Sequence, residues 1–181
     1  MFTRRGLLAG VLLAAADPAS SRIDIVMRGD ASGEHVGYDP VGLLLQPGQT
    51  VRWVCQANYH TTTAYHPDNT GHSLRIPRDA RPWDSDVLQP GEHFDVTLTV
   101  PGVYDYFCAP HEAAGMVGRL IVGQPIGPGS LPFDWFKGRV EGHGWLPVPP
   151  AARTAFPAIG DIMRRHTVPG AVMPMPPASG G

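Results

Sequence analysis

Cys108, His111 and Met116 stand in the spacing Cys-x2-His-x4-Met, inside the segment YDYFCAPHEAAGMVGRLIVG. A copper ion that alternates between Cu(I) and Cu(II) needs soft sulfur to hold the reduced state and imidazole to tolerate the oxidised one. One thiolate, two imidazoles and a weak thioether make such a set. Pro110 and Gly115 supply the sharp turns that fold so short a stretch around one point. The second imidazole must come from elsewhere. His60 opens a β-branched run directly after VRWVCQANY, whereas His66 and His72 lie in a Pro/Asn/Gly-rich stretch where a ligand is harder to hold rigidly. His60 is therefore the expected donor, with His66 in reserve.

The elements around these residues read as strands and turns. RIDIVM (Arg22–Met27) alternates, and Val41–Cys55 reads as two apolar segments divided by a turn at Pro47-Gly48. HTTTAY (His60–Tyr65), FDVTLTV (Phe94–Val100), VYDYFC (Val103–Cys108) and VGRLIV (Val117–Val122) complete the series. Short strands at this spacing predict an all-β sandwich or barrel with Greek-key connections. His66–Pro90 has no period and is expected to be a long inserted loop. After Gln124 the composition changes, and residues 125–181 hold 11 of the chain's 20 prolines. Ala152, Ala155, Phe156, Ile159, Ile162 and Met163 follow helical spacing, which predicts one short helix with Pro157 at its first turn. This extension is too small and proline-rich for a core of its own, so it is expected to wrap on the sandwich. Phe133, Trp135 and Trp145 are its candidate anchors.

Composition narrows the function classes. The 181 residues carry a formal net charge of −2 and no basic stripe, which argues against nucleic acid as a partner. At the N-terminus Thr3-Arg4-Arg5 precedes an apolar run from Gly6 to Ala16, too short for an ordinary membrane span but suited to a signal peptide. With Leu7-Leu8 it resembles a twin-arginine export signal, and cleavage after Ala16 would release a chain beginning near Asp17. The alternative is an uncleaved anchor. No later segment is long and apolar enough to cross a bilayer. The expected location is the periplasm or another exported compartment, with residues 1–16 as signal, 22–123 as the copper domain and 124–181 as the extension.

The stretch from PGQTVRW through His60, and above all the block PGVYDYFCAPHEAAGMVG, resembles the plastocyanin/pseudoazurin branch of the cupredoxin family. The resemblance runs over roughly Ile23–Gly123. It implies a Greek-key β-sandwich, one type 1 copper and one-electron transfer. Carried over position by position, it makes His60, Cys108 and His111 the in-plane ligands and Met116 the axial one. It also implies a redox partner, a cytochrome or copper oxidoreductase, docking transiently near His111, with Ala113, Ala114 and Gly115 as a small apolar surround. The family usually carries Asn after the first His ligand, and this chain has Thr61. A side chain there often ties the two ligand loops together, so Thr61 bears on the surroundings of the metal. Pro110 has no N–H to offer the thiolate.

Other readings are set beside these. A copper-buffering or copper-tolerance protein is the alternative function, favoured weakly by His66, His72 and the tail methionines Met163, Met173 and Met175, of which Met163 reads more simply as core filling. Those histidines, with His35, His93, His143 and His166, are otherwise ordinary. Enzyme chemistry of the multicopper kind needs a His-Cys-His arrangement, but Phe107 and Ala109 flank Cys108, so no enzyme activity is expected. Cys55 alternates inward with Val51 and Trp53 and reads as an inert buried thiol, not a disulfide partner for Cys108.

Overall fold

The computed structural model describes residues 21–30, 32, 35–171 and 173–174. The signal and most of the final MPMPPASGG lie outside the described residues. Among the described residues no helix is long and apolar enough to cross a membrane.

Two five-stranded sheets face each other, each mixed parallel and antiparallel. The first runs β10-β2-β1-β4-β6, built from Met173–Pro174, His35–Asp39, Arg22–Gly29, Gln49–Cys55 and His93–Leu98. The second runs β5-β7-β8-β3-β9, built from Thr63–Ala64, Gly102–Phe107, Val117–Val122, Gly42–Leu45 and Thr167–Val168. The turn between β3 and β4 falls where the Pro47-Gly48 pair placed it, and Gly48 takes φ 94°, which a side chain resists. Period-two alternation explains the main core. Val51, Trp53 and Cys55 of β4 point inward, as do Tyr104, Tyr106 and Cys108 along and just after β7.

Several elements differ from expectation. HTTTAY is not a continuous strand: only Thr63–Ala64 pairs with β7, and His60 makes an isolated bridge to Leu88. The Pro/Gly-rich segment after β5 holds no further named strand or helix, yet it is well packed. Its Leu74, Ile76, Trp83 and Leu88 join the main core. The single helix expected in the extension is two, α1 (Pro150–Ala155) and α2 (Ile159–Arg165). Pro157 breaks the period because its ring disfavours the helical region for the residue before it, and Phe156 is accordingly extended at φ −63°, ψ 133°.

The extension closes the outer face of the second sheet. β7 and β8 are buried at every position, whereas β6 alternates between exposed and half-buried up to Leu98, which is buried. Phe107 and Val117 pack under Val148 and Ala152, and Val103 and Ile121 under Ile162. Between these two apolar patches Asp105, fully buried, accepts hydrogen bonds from Arg75 Nε (2.6 Å) and from Arg119 Nε (2.7 Å) and Nη2 (2.9 Å). The same arginines donate to the carbonyls of Gly129, Leu131 and Pro157, and they stack over Phe133 and Phe156. Trp135 Nε1 donates to the Leu74 carbonyl, at 3.3 Å. β9 and β10 add one extension strand to the edge of each sheet.

Candidate metal centre

Cys108 follows the last residue of β7, and a 3-10 turn, Ala109–Ala114, carries the chain back to β8. Pro110 sits in the first positions of that turn and Gly115 ends it at φ 87°, a left-handed cap that needs a glycine. The backbones of the three motif residues close on one another. His111 N–H donates to the Cys108 carbonyl (3.0 Å), Met116 N–H to the His111 carbonyl (3.1 Å), and Cys108 N–H to the Met116 carbonyl (3.0 Å). His60 arrives from β4 through a turn containing Asn58 at φ 62°, and two backbone bonds to Leu88 hold it.

Three donor atoms converge there. His60 Nδ1 lies 3.1 Å from His111 Nδ1, and Cys108 Sγ lies 3.7 Å and 3.4 Å from those two nitrogens. Among the described residues this is the one group of three or more His, Cys, Asp or Glu able to share an ion. His60, Cys108 and Met116 are buried, and only His111 is partly exposed. Burial, then the facing His111 ring, pushes the His60 pKa down to about 4, and burial lowers that of His111 as well. Burial pushes the Cys108 thiol up to about 12. At neutral pH both imidazoles therefore present lone pairs, and the thiol keeps its proton until a cation displaces it. One thiol and two imidazoles around a point walled off from water suit copper.

Thr61 supplies the tie between the two ligand segments. Its N–H donates to Cys108 Sγ at 3.3 Å, and its hydroxyl accepts from Ala109 N–H at 2.8 Å. The hydroxyl lies 2.9 Å from that of Thr63, which donates to Asp84 Oδ1 at 3.0 Å. A carboxylate only accepts, so Thr63 spends its proton on Asp84 and Thr61 must donate to Thr63. The run Thr61–Thr63 thus fastens both ligand segments to the 84–88 strip. Its Thr61 carbonyl also accepts from the Tyr38 hydroxyl, at 2.6 Å.

The sequence missed a second cluster beside the ligand turn. His72, expected to be an ordinary loop residue, is buried with Nε2 3.1 Å from Glu112 Oε2, and the Tyr65 hydroxyl donates to Glu112 Oε1 at 2.6 Å. The signal was one acidic residue beside a ligand, which by itself carries no information about its partners. The surround of His111 also differs: Ala109, Pro110 and Ala113 are exposed, while Ala114 and Gly115 are buried because the turn folds them under. Cys55 is a free buried thiol, its pKa raised by burial.

The model of the copper-binding proteins of the plastocyanin/azurin family matches residues 25–123, more than half of the chain. The chain belongs to this family. Similar proteins include the chloroplastic plastocyanins of Hordeum vulgare and Chlamydomonas reinhardtii. The first is 32% identical over 51% of this chain and 58% of its own length. The second is 32% identical over 64% and 79%. A Sinorhizobium pseudoazurin is 31% identical over 57% of this chain and 75% of its own, with a TM-score of 0.48. The matched stretch thus spans under two thirds of the barley protein. Copper is the cofactor of this cupredoxin.

Proposed function

We propose that this cupredoxin is an exported one-electron carrier with a single type 1 copper held by His60, Cys108, His111 and Met116. The observation that carries the reading is the convergence of His60 Nδ1, Cys108 Sγ and His111 Nδ1 on one buried point. Bound copper supplies the one-electron couple. The protein's part is to hold the donors in an arrangement that both oxidation states accept, and to keep water away from the sulfur. Phe107 and Ala109 flank Cys108, so no imidazole stands ready to bridge to a second centre, which favours a carrier over an enzyme. Residues 22–123 form the copper domain in this reading, and the twin-arginine-like start at residues 1–16 supports export to the periplasm.

His111 is the one partly exposed member of the donor set, and Ala109, Pro110 and Ala113 beside it are exposed and small. A redox partner, a cytochrome or copper oxidoreductase, docks there. A small apolar face without a charge clamp suits a brief encounter. Copper-loaded protein should show an intense thiolate-to-copper visible band, and His111→Ala should abolish or grossly change it. An unchanged band in His111→Ala would remove His111 from the ligand set.

A further inference from the structure

We propose that Glu112 is a positioning residue for His111, clamped from outside the sandwich by Tyr65 and His72. The inference rests on the copper reading above and adds to it. Backbone bonds set the turn's curvature and close its base, with Cys108 N–H on the Met116 carbonyl and Phe107 paired to Val117, and Ala114 is buried in the core. The turn's start is tied by Ala109 N–H to Thr61 Oγ1. Beyond that, the side chains available are two alanines, one proline, His111 itself and Glu112. Glu112 is the side chain that reaches out: Tyr65, on one side, donates to Oε1 at 2.6 Å, and His72 meets Oε2 at 3.1 Å.

The clamp is itself anchored. The His72 ring stacks on Phe107 with centroids 4.4 Å apart, so one residue touches both the strand end before Cys108 and, through Glu112, the turn after it. Backbone bonds from Leu146 N–H to the Gly71 carbonyl (2.8 Å) and from Ser73 N–H to the Leu146 carbonyl (2.9 Å) lock the His72 segment to the extension. The need for a clamp is geometric. The two rings come from segments far apart in the chain and meet with their Nδ1 atoms 3.1 Å apart, so they face one point only while both segments are held in place. His60 is held by its bridge to Leu88, and His111 sits on the turn that Glu112 fastens.

The test compares full-length wild type with Glu112→Ala, Glu112→Gln and His72→Phe. Read-outs are Cu(II) affinity by chelator competition, the reduction potential, and the His111 ring resonances of metal-free protein. Glu112→Ala should weaken Cu(II) binding by about tenfold or more, the usual cost of losing a group that orients a ligand. The potential should move upward, since a loosened imidazole and a lost carboxylate both disfavour the dication. The metal-free His111 resonances should broaden. Glu112→Gln should restore most of the affinity, because its carbonyl still accepts from Tyr65 and its amide can donate to a neutral His72. If Glu112→Ala fails to fold, His72→Phe keeps the stack on Phe107, removes the bond to Glu112 along with the local Nδ1 contacts to Asn69 O and Thr70 Oγ1, and should weaken copper binding severalfold. Wild-type affinity and potential in Glu112→Ala, or in His72→Phe where that variant stands in, overturn the proposal. A wild-type protein with no thiolate band overturns the copper reading beneath it instead.

Discussion

At the scale of single residues, the metal-free site is charged with one proton that copper must expel. Burial pushes Cys108 up to about 12, so its thiol is protonated at neutral pH, while His60 at about 4 is already neutral. A thiol that ligates a cation is deprotonated outright. Copper uptake at pH 7 should therefore release about one proton per ion. Titration calorimetry in buffers of different ionisation enthalpy measures this directly, and a release near zero or near two would contradict the assignment of charge states. The meeting of Cys108 and His111 was legible because they lie within one turn, where spacing reports proximity. His60 joins them, although the β-branched run that pointed to it is no strand at His60, which makes only an isolated bridge to Leu88. The partners of Glu112 were not legible, because Tyr65 and His72 are 47 and 40 positions away and meet it only after two segments and the extension have packed. The same is true of the Thr61–Thr63–Asp84 chain: three threonines in a row read as strand residues, not as a fastening.

At the scale of elements, alternation made the long strands visible and left the short ones hidden. β9 and β10 have two residues each, too few for any period, and β2 contains Gly37 within a five-residue run. In the extension a 3.6-residue period was real but spanned two helices, because the pattern ignores what Pro157 does to Phe156. The outer face of β7 carries a stronger lesson. Val103, Asp105 and Phe107 alternate with Tyr104, Tyr106 and Cys108, so Asp105 looks like a solvent-facing strand residue. It is instead fully buried between Arg75 and Arg119. Removing one member of such a group leaves uncompensated buried charge, which costs about 3–5 kcal/mol. Asp105→Ala should thus shift the urea midpoint of metal-free protein strongly downward with little change in slope. A shift as small as that of an exposed pair such as Lys137 with Asp134 would mean that the arginines find other partners.

At the scale of the whole molecule, the extension belongs to the fold that holds the copper site. Four side chains of the second sheet, Val103, Phe107, Val117 and Ile121, are almost wholly buried, and they lie on the face that the extension covers. Exposing one such side chain fully costs about 1.5–3 kcal/mol. Four of them amount to a large part of the roughly 5–15 kcal/mol that holds a domain folded. Deleting the extension would also strip Arg75 and Arg119 of the Gly129, Leu131 and Pro157 carbonyls, leaving Asp105 and its cations half open to water. A chain ending at Gly123 should consequently unfold at a much lower temperature than the full protein, bind a hydrophobic dye and self-associate through the uncovered sheet. Ala152→Glu probes the same face without a deletion, since Ala152 is wholly buried against Phe107 and a carboxylate there has no partner. Scanning calorimetry with light scattering reads both variants. If the shortened chain stayed monomeric with an unaltered melting temperature, the outer face would not need its cover, and the extension would have to be explained by something other than packing.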